Sequence, residues 1–114
     1  MSQHVFKTTL KGQKIEVLAG WDRPLQGFFL VIERIDHGDR DDEPYLFSNL
    51  DMTESHPKSF DRFRNVLDEF GITVPMEMTE EIILDGTANK GNKRVLHEVR
   101  DGKYSRNVLY EEAP

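Results

Sequence analysis

Phe60-Asp61-Arg62-Phe63-Arg64-Asn65-Val66-Leu67-Asp68-Glu69-Phe70-Gly71-Ile72 decides the fold class, because here the period of the chain becomes helical. Phe60, Phe63, Val66, Leu67 and Phe70 recur at i, i+3, i+6, i+7 and i+10, one continuous apolar stripe. Asp61, Arg62, Arg64, Asn65, Asp68 and Glu69 fill the opposite side. Gly71 can adopt the left-handed conformation that ends a helix, and Ile72 then falls back on Leu67, the apolar contact of a Schellman ending. Next, Thr73-Val74-Pro75 opens a second helix, since proline is tolerated in a first turn. Met78, Ile82 and Ile83 give this helix a narrower stripe, with Glu77, Glu80 and Glu81 near its positive N-terminal end. Gly86 weakens it by about 1 kcal/mol relative to alanine, and Asn89-Lys90-Gly91-Asn92 ends it.

Upstream the period is two. Phe6, Thr8 and Leu10 alternate with Val5, Lys7 and Thr9, and Lys11-Gly12-Gln13 supplies a turn. Ile15, Val17, Ala19 and Trp21 then alternate along a second strand. Asp22-Arg23-Pro24-Leu25-Gln26-Gly27 is a loop, since proline fixes φ and lacks a donor. Phe28-Phe29-Leu30-Val31-Ile32 is apolar on both sides, as a central strand would be. The three strands read as an antiparallel meander, and Tyr45-Leu46-Phe47 resumes a short fourth. After the helices, Val95, His97 and Val99 alternate and Asp101-Gly102 is a hairpin signal, which would set Tyr104, Arg106 and Val108 opposite Val99, His97 and Val95. A loosely held tail is the competing reading of the last residues. The expectation is an α+β fold: an antiparallel sheet of four to five strands with two helices packed on one face. Residues 1–102 form the single domain, and 103–114 are a C-terminal tail or a final edge strand.

Composition excludes whole classes. One hundred and fourteen residues suit one domain. The absence of cysteine removes disulfides, thiolate metal sites and thiol chemistry. No apolar run approaches the roughly 20 residues that span a bilayer, and Met1-Ser2-Gln3-His4 lacks the layout of a signal peptide, so a cytoplasmic protein is expected. A net charge of −6 with 32% charged residues disfavours direct nucleic-acid binding.

The motifs that would carry chemistry fail on inspection. Asp39, Asp41 and Glu43 alternate as calcium ligands do, but counting from Asp39 the sixth and twelfth positions are Pro44 and Leu50, not glycine and a bidentate acid. The segment 36–44 is then a solvated, mobile charge run. Gly86 to Lys93 resembles a phosphate-binding loop, but Asn92 intervenes before Lys93 and the stretch leaves a helix rather than entering one. His4, His37, His56 and His97 lack zinc-protease spacing, and each reads as a surface or edge histidine. No Gly-x-Ser-x-Gly elbow occurs. No catalytic residue, metal ligand or cofactor is expected, and the chain leans away from an enzyme.

Charge is segregated along the chain. Residues 33–54 carry a net −6, residues 68–85 another −6, and residues 90–106 a net +4. Two readings stand: electrically distinct faces that steer a partner, or a basic segment that neutralises the acidic helix internally. The Gly20-Trp21-Asp22-Arg23-Pro24 turn is the other feature. Trp21 is either a recognition tip or a plug at the sheet's end.

Gly20-Trp21-Asp22-Arg23-Pro24-Leu25-Gln26 running into Phe28-Phe29-Leu30-Val31-Ile32 resembles a family of short, uncharacterised bacterial cytosolic proteins. The likeness continues at Tyr45, Ser48-Asn49-Leu50, Gly71-Ile72-Thr73-Val74-Pro75 and Asn89-Lys90-Gly91-Asn92, covering about residues 14–98. It implies a bacterial cytosolic protein and carries over no activity, cofactor or catalytic residue.

The functional expectation is a small non-enzymatic binding or regulatory module acting through protein–protein contacts, with an acidic surface engaging a basic partner. The alternative is a small-molecule binder or enzyme with a site around the Trp21–Arg23 loop. Trp21, Asp22, Arg23, Ser48, Asn49 and Asn92 are the candidate ligand- or partner-binding residues. A monomer is expected, or a weak homodimer joined through the 94–99 edge about Leu96.

Overall fold

The computed structural model describes residues 1–35 and 45–112; the acidic segment 36–44, with its calcium-like spacing, lies outside them. The elements run β1 (Ser2–Leu10), β2 (Gln13–Asp22), β3 (Gly27–Arg34), β4 (Tyr45–Ser48), α1 (Asp61–Phe70), α2 (Met76–Thr87), β5 (Lys93–Arg100) and β6 (Lys103–Glu111). The fold is α+β, as the change of period from two to 3.6 requires.

Two expectations need correction. The sheet has six strands in the order β4-β3-β2-β1-β5-β6, and it is mixed: β5 runs parallel to β1, with Ser2 opposite Lys93 and His4 opposite Val95. A parallel neighbour needs a long crossover, and the helical segment provides it by returning the chain from the β4 edge to the far side of β1. Strand β1 is therefore interior. The 94–99 segment is flanked by β1 and β6, so the edge proposed for dimerisation about Leu96 does not exist. The last residues form β6, closed at Asp101-Gly102, with Val99 opposite Tyr104, His97 opposite Arg106 and Val95 opposite Val108.

Both helices cover one face. Phe28, Leu30 and Ile32 of β3, Ile15, Val17, Ala19 and Trp21 of β2, and Phe6 of β1 meet Phe60, Phe63, Leu67, Met78 and Ile82. Helix α1 ends as read: Gly71 has φ 76°, its N–H donates to Asp68 O and that of Ile72 to Leu67 O. Gly86 serves close approach. A Cβ there would lie 2.5 Å from the Phe28 ring, so glycine lets α2 settle onto Trp21 and Phe28. No helix among the described residues is long and apolar enough to cross a membrane.

Candidate functional site

The polar core lies where α2 crosses β1, β5 and β6. Met78, Ile82 and Asp85 stand on the buried side of α2, so an acid occupies the third position of its apolar stripe. His4 and His97 lie on the inward faces of β1 and β5, and Lys93 stands on the same inward row as His97. His4 and His97 are 0% exposed, Asp85 4% and Lys93 6%. The expectation of surface or edge histidines is thus corrected for these two.

Two hydrogen-bonded chains run through this cluster. The first links Asp85 Oδ2 to His4 Nε2 at 2.6 Å, His4 Nδ1 to His97 Nε2 at 2.8 Å, and His97 Nδ1 to the Tyr104 hydroxyl at 2.7 Å. In the second, Lys93 Nζ bridges Asp85 Oδ1 at 2.8 Å and Glu81 Oε2 at 2.7 Å, and Arg106 grips Glu81 through Nε at 2.6 Å and Nη2 at 2.7 Å.

The environment sets the charges. Burial raises the Glu81 pKa, but the hydrogen bonds from Arg106 and Lys93 overcome that and bring it down to about 2. Burial likewise opposes the ionised Asp85, and His4 and Lys93 hold it below the usual range. Lys93 is pushed up against its own burial by Asp85 and Glu81. His97 is brought down to about 4, first by burial and then by His4, so it is neutral near pH 7. Burial and then Glu81 and Glu77 raise Tyr104, which keeps its phenolic proton. Two proton arrangements satisfy the first chain. With His4 neutral, Tyr104 O–H donates to His97, His97 Nε2–H to His4, and His4 Nε2–H to Asp85. With His4 doubly protonated, the His97 bonds reverse. The chain links a sealed carboxylate to a half-buried phenol.

His4, Glu81 and His97 also bring three potential ligand atoms within 4.8 Å of one another. The charge around them opposes a cation. Glu81 is already held by Lys93 and Arg106, His4 by Asp85, and the two fixed cations balance the two carboxylates. Sequence reasoning missed this cluster. The available signals were an acid on the α2 stripe at Asp85 and a histidine between Val95 and Val99 on an apolar strand face.

The six residues singled out from sequence are dispersed. Trp21 is buried, its indole N–H donating to Asn89 Oδ1 at 3.1 Å, and it lines a cleft of about 320 Å³ with Phe28, Phe60 and Ile83. Asp22 is buried as well: Oδ1 accepts from Leu25 N at 3.2 Å, and Oδ2 lies 3.7 Å from His56 Nε2. Ser48 caps a short 3-10 turn by accepting from Leu50 N, and Asn49 donates to Ser55 O at 2.8 Å, both by the β4 edge. Among the described residues, Arg23 and Asn92 share a cleft.

The charge segregation is partly spent inside the molecule. Lys93 and Arg106 of the basic segment pair with Glu81 and Asp85 of the acidic helix, and Lys90 pairs with Glu111 at 2.9 Å. No family model, curated protein or solved structure matches the chain.

Proposed function

We propose that the protein is a non-enzymatic binding module whose docking surface is the helix-free face of the sheet, and that its partner presents an apolar strip flanked by basic residues. The observation that carries this reading is a row of side chains across that face. Val31 stands opposite Leu18, Leu18 opposite Val5, and Val5 opposite Leu96. None belongs to the cluster packed under the helices. Val5, at the centre of the row, is buried beneath its neighbours, while Leu18, Val31 and Leu96 are half-buried, so a partly accessible apolar strip runs across a face that no helix covers.

Charge supports the choice of partner. The next row holds Glu33 directly opposite Glu16, with Lys7 beyond, and Glu98 alternates with Leu96 on the same face of β5. Like charges paired across strands cost stability, and neither Glu16 nor Glu33 has an ion-pair partner among the described residues. A basic flank on the partner would relieve that repulsion. The sealed polar core also favours a binder: His4, His97 and Asp85 admit no substrate, and catalysis requires contact with the reacting atoms.

The test is photo-crosslinking from a residue placed at Leu18, in a bacterial lysate at low and high salt, with the captured contact sequenced. A single partner carrying a basic-flanked apolar strip, lost on charge reversal by Glu33→Lys, is the expected result. Capture indifferent to Glu33→Lys, or crosslinking of the protein only to itself, would overturn the reading.

A further inference from the structure

The cleft that joins Arg23 to Asn92 has a built floor. It encloses about 410 Å³ between the loop after β2 and the stretch that links α2 to β5, and Lys90, Gly91 and Glu112 also line it. The Glu112 side chain reaches back into it. Its backbone N–H donates to Asn92 O at 2.7 Å, and its Oε2 accepts from Asn92 N at 3.2 Å.

Gly91 makes this possible. A Cβ on Gly91 would lie 2.1 Å from Glu112 Oε2 and 3.0 Å from Arg23 Nη1. Gly91 is not among the residues with positive φ, so its backbone does not require glycine. Space does: a carboxylate and a guanidinium both rest over the same bare Cα. Yet Arg23 and Glu112 form no ion pair within 4.0 Å, so the guanidinium fork is left open toward the cleft.

The Arg23 backbone is also held in place. Gln26 donates to Arg23 O through its side chain at 2.6 Å and its backbone at 3.2 Å. Asn89 Oδ1 accepts from both Gln26 Nε2 and Trp21 Nε1, tying this loop to the stretch that supplies the floor. The Asn92 backbone N–H and the planar Arg23 guanidinium then meet beside one bare glycine, a donor pair suited to a carboxylate or phosphate, while Lys90, paired with Glu111, lines the cleft as a further positive charge.

We propose that this cleft is a binding site for the carboxylate or phosphate group of a small molecule, and that Glu112 is its displaceable internal occupant. The site is separate from the helix-free sheet face and does not depend on it. An incoming anion takes the Asn92 N–H from Glu112 and engages the open fork of Arg23, which the internal carboxylate does not reach.

The experiment titrates the full chain with inorganic phosphate and, separately, with acetate, following the backbone amides of Lys90, Gly91 and Asn92 and the Arg23 side chain by NMR. Glu112→Gln is expected to bind at least tenfold more tightly than the parent, and adding Arg23→Gln to lose at least tenfold. Response to phosphate alone assigns a phosphoryl ligand, and response to acetate, a carboxylate. Gly91→Ala puts a methyl on the seat that the Glu112 oxygen now holds, so it should expel that side chain and also shut out the incoming anion, abolishing both responses. Shifts that ignore Arg23→Gln, or a Glu112→Gln chain that binds no better than the parent, would overturn the proposal.

Discussion

His4 Nδ1 lies 2.8 Å from His97 Nε2 in the sealed interior, across the parallel pair β1 and β5. The register places Phe6 opposite His97 and His4 opposite Val95, so the imidazoles are diagonal neighbours on one face. A one-residue slip of either strand would turn that strand's histidine outward and break the contact. The contact therefore ties the register of a non-local strand pair to the seating of α2.

Stability should fall in mild acid. The folded-state pKa of His97 is about 4 against 6.5 for a free histidine, so between these values the unfolded chain binds more protons than the folded one. The contribution is complete above pH 6.5 and lost as pH falls to 4, on the order of 3 kcal/mol. Glu81 acts in the same direction further down, complete above 4.5 and lost toward about 2. Urea midpoints from pH 4 to 8, parent against His97→Phe, separate the histidine limb. A parent curve flat across that window would remove His97 as a buried neutral group.

Much of the fold was legible because it is written locally. The Phe60–Phe70 stripe, Gly71 and the Asp101-Gly102 turn act over a few residues, and the alternation of Val95, His97 and Val99 set the β5–β6 register. The parallel pairing of β1 with β5 has no local mark, since it follows from where two helices return the chain. The polar core was hidden for a related reason. Asp85 and His4 are 81 positions apart, and each alone is an ordinary polar residue. The apolar row on the helix-free side of the sheet was equally unreadable until the register aligned Val31, Leu18, Val5 and Leu96.

Phe63→Ala should cost about 3–5 kcal/mol. Phe63 is fully buried, with its ring edge-on to Phe47 at 6.3 Å and to Phe60 at 5.8 Å, so it pins α1 to β4. Chemical denaturation measures the loss directly. A variant that unfolds at the parent's midpoint would take α1 out of the core.

Gly86→Ala opposes two effects. Helix propensity favours alanine by about 1 kcal/mol, while the new methyl would meet the Phe28 ring at 2.5 Å. That ring is held edge-on by Trp21 at 5.0 Å and Phe60 at 5.6 Å, so it cannot swing aside cheaply. Overpacking of this kind costs about 1–3 kcal/mol, and a net loss near ~1 kcal/mol is expected. A midpoint above the parent's would mean that the ring yields.

Lys93→Met tests whether the buried charges act as one unit. The substitution keeps an unbranched apolar stem but removes the ammonium, leaving Asp85 with His4 alone and Glu81 with Arg106 alone. Removing one partner of a buried pair costs about 3–5 kcal/mol, most of it from the charge left behind. Asp85→Asn alone should also destabilise, since it strips a partner from both Lys93 and His4. The double variant removes the orphan along with its cause, so its loss should fall short of the sum by about 0.5–3 kcal/mol. Without Lys93, the Asp85 carboxyl loses one of the two hydrogen bonds that hold it low, and the acid limb of the stability curve should move to higher pH. Additive losses with an unmoved acid limb would show that Lys93 and Asp85 are neighbours without being coupled.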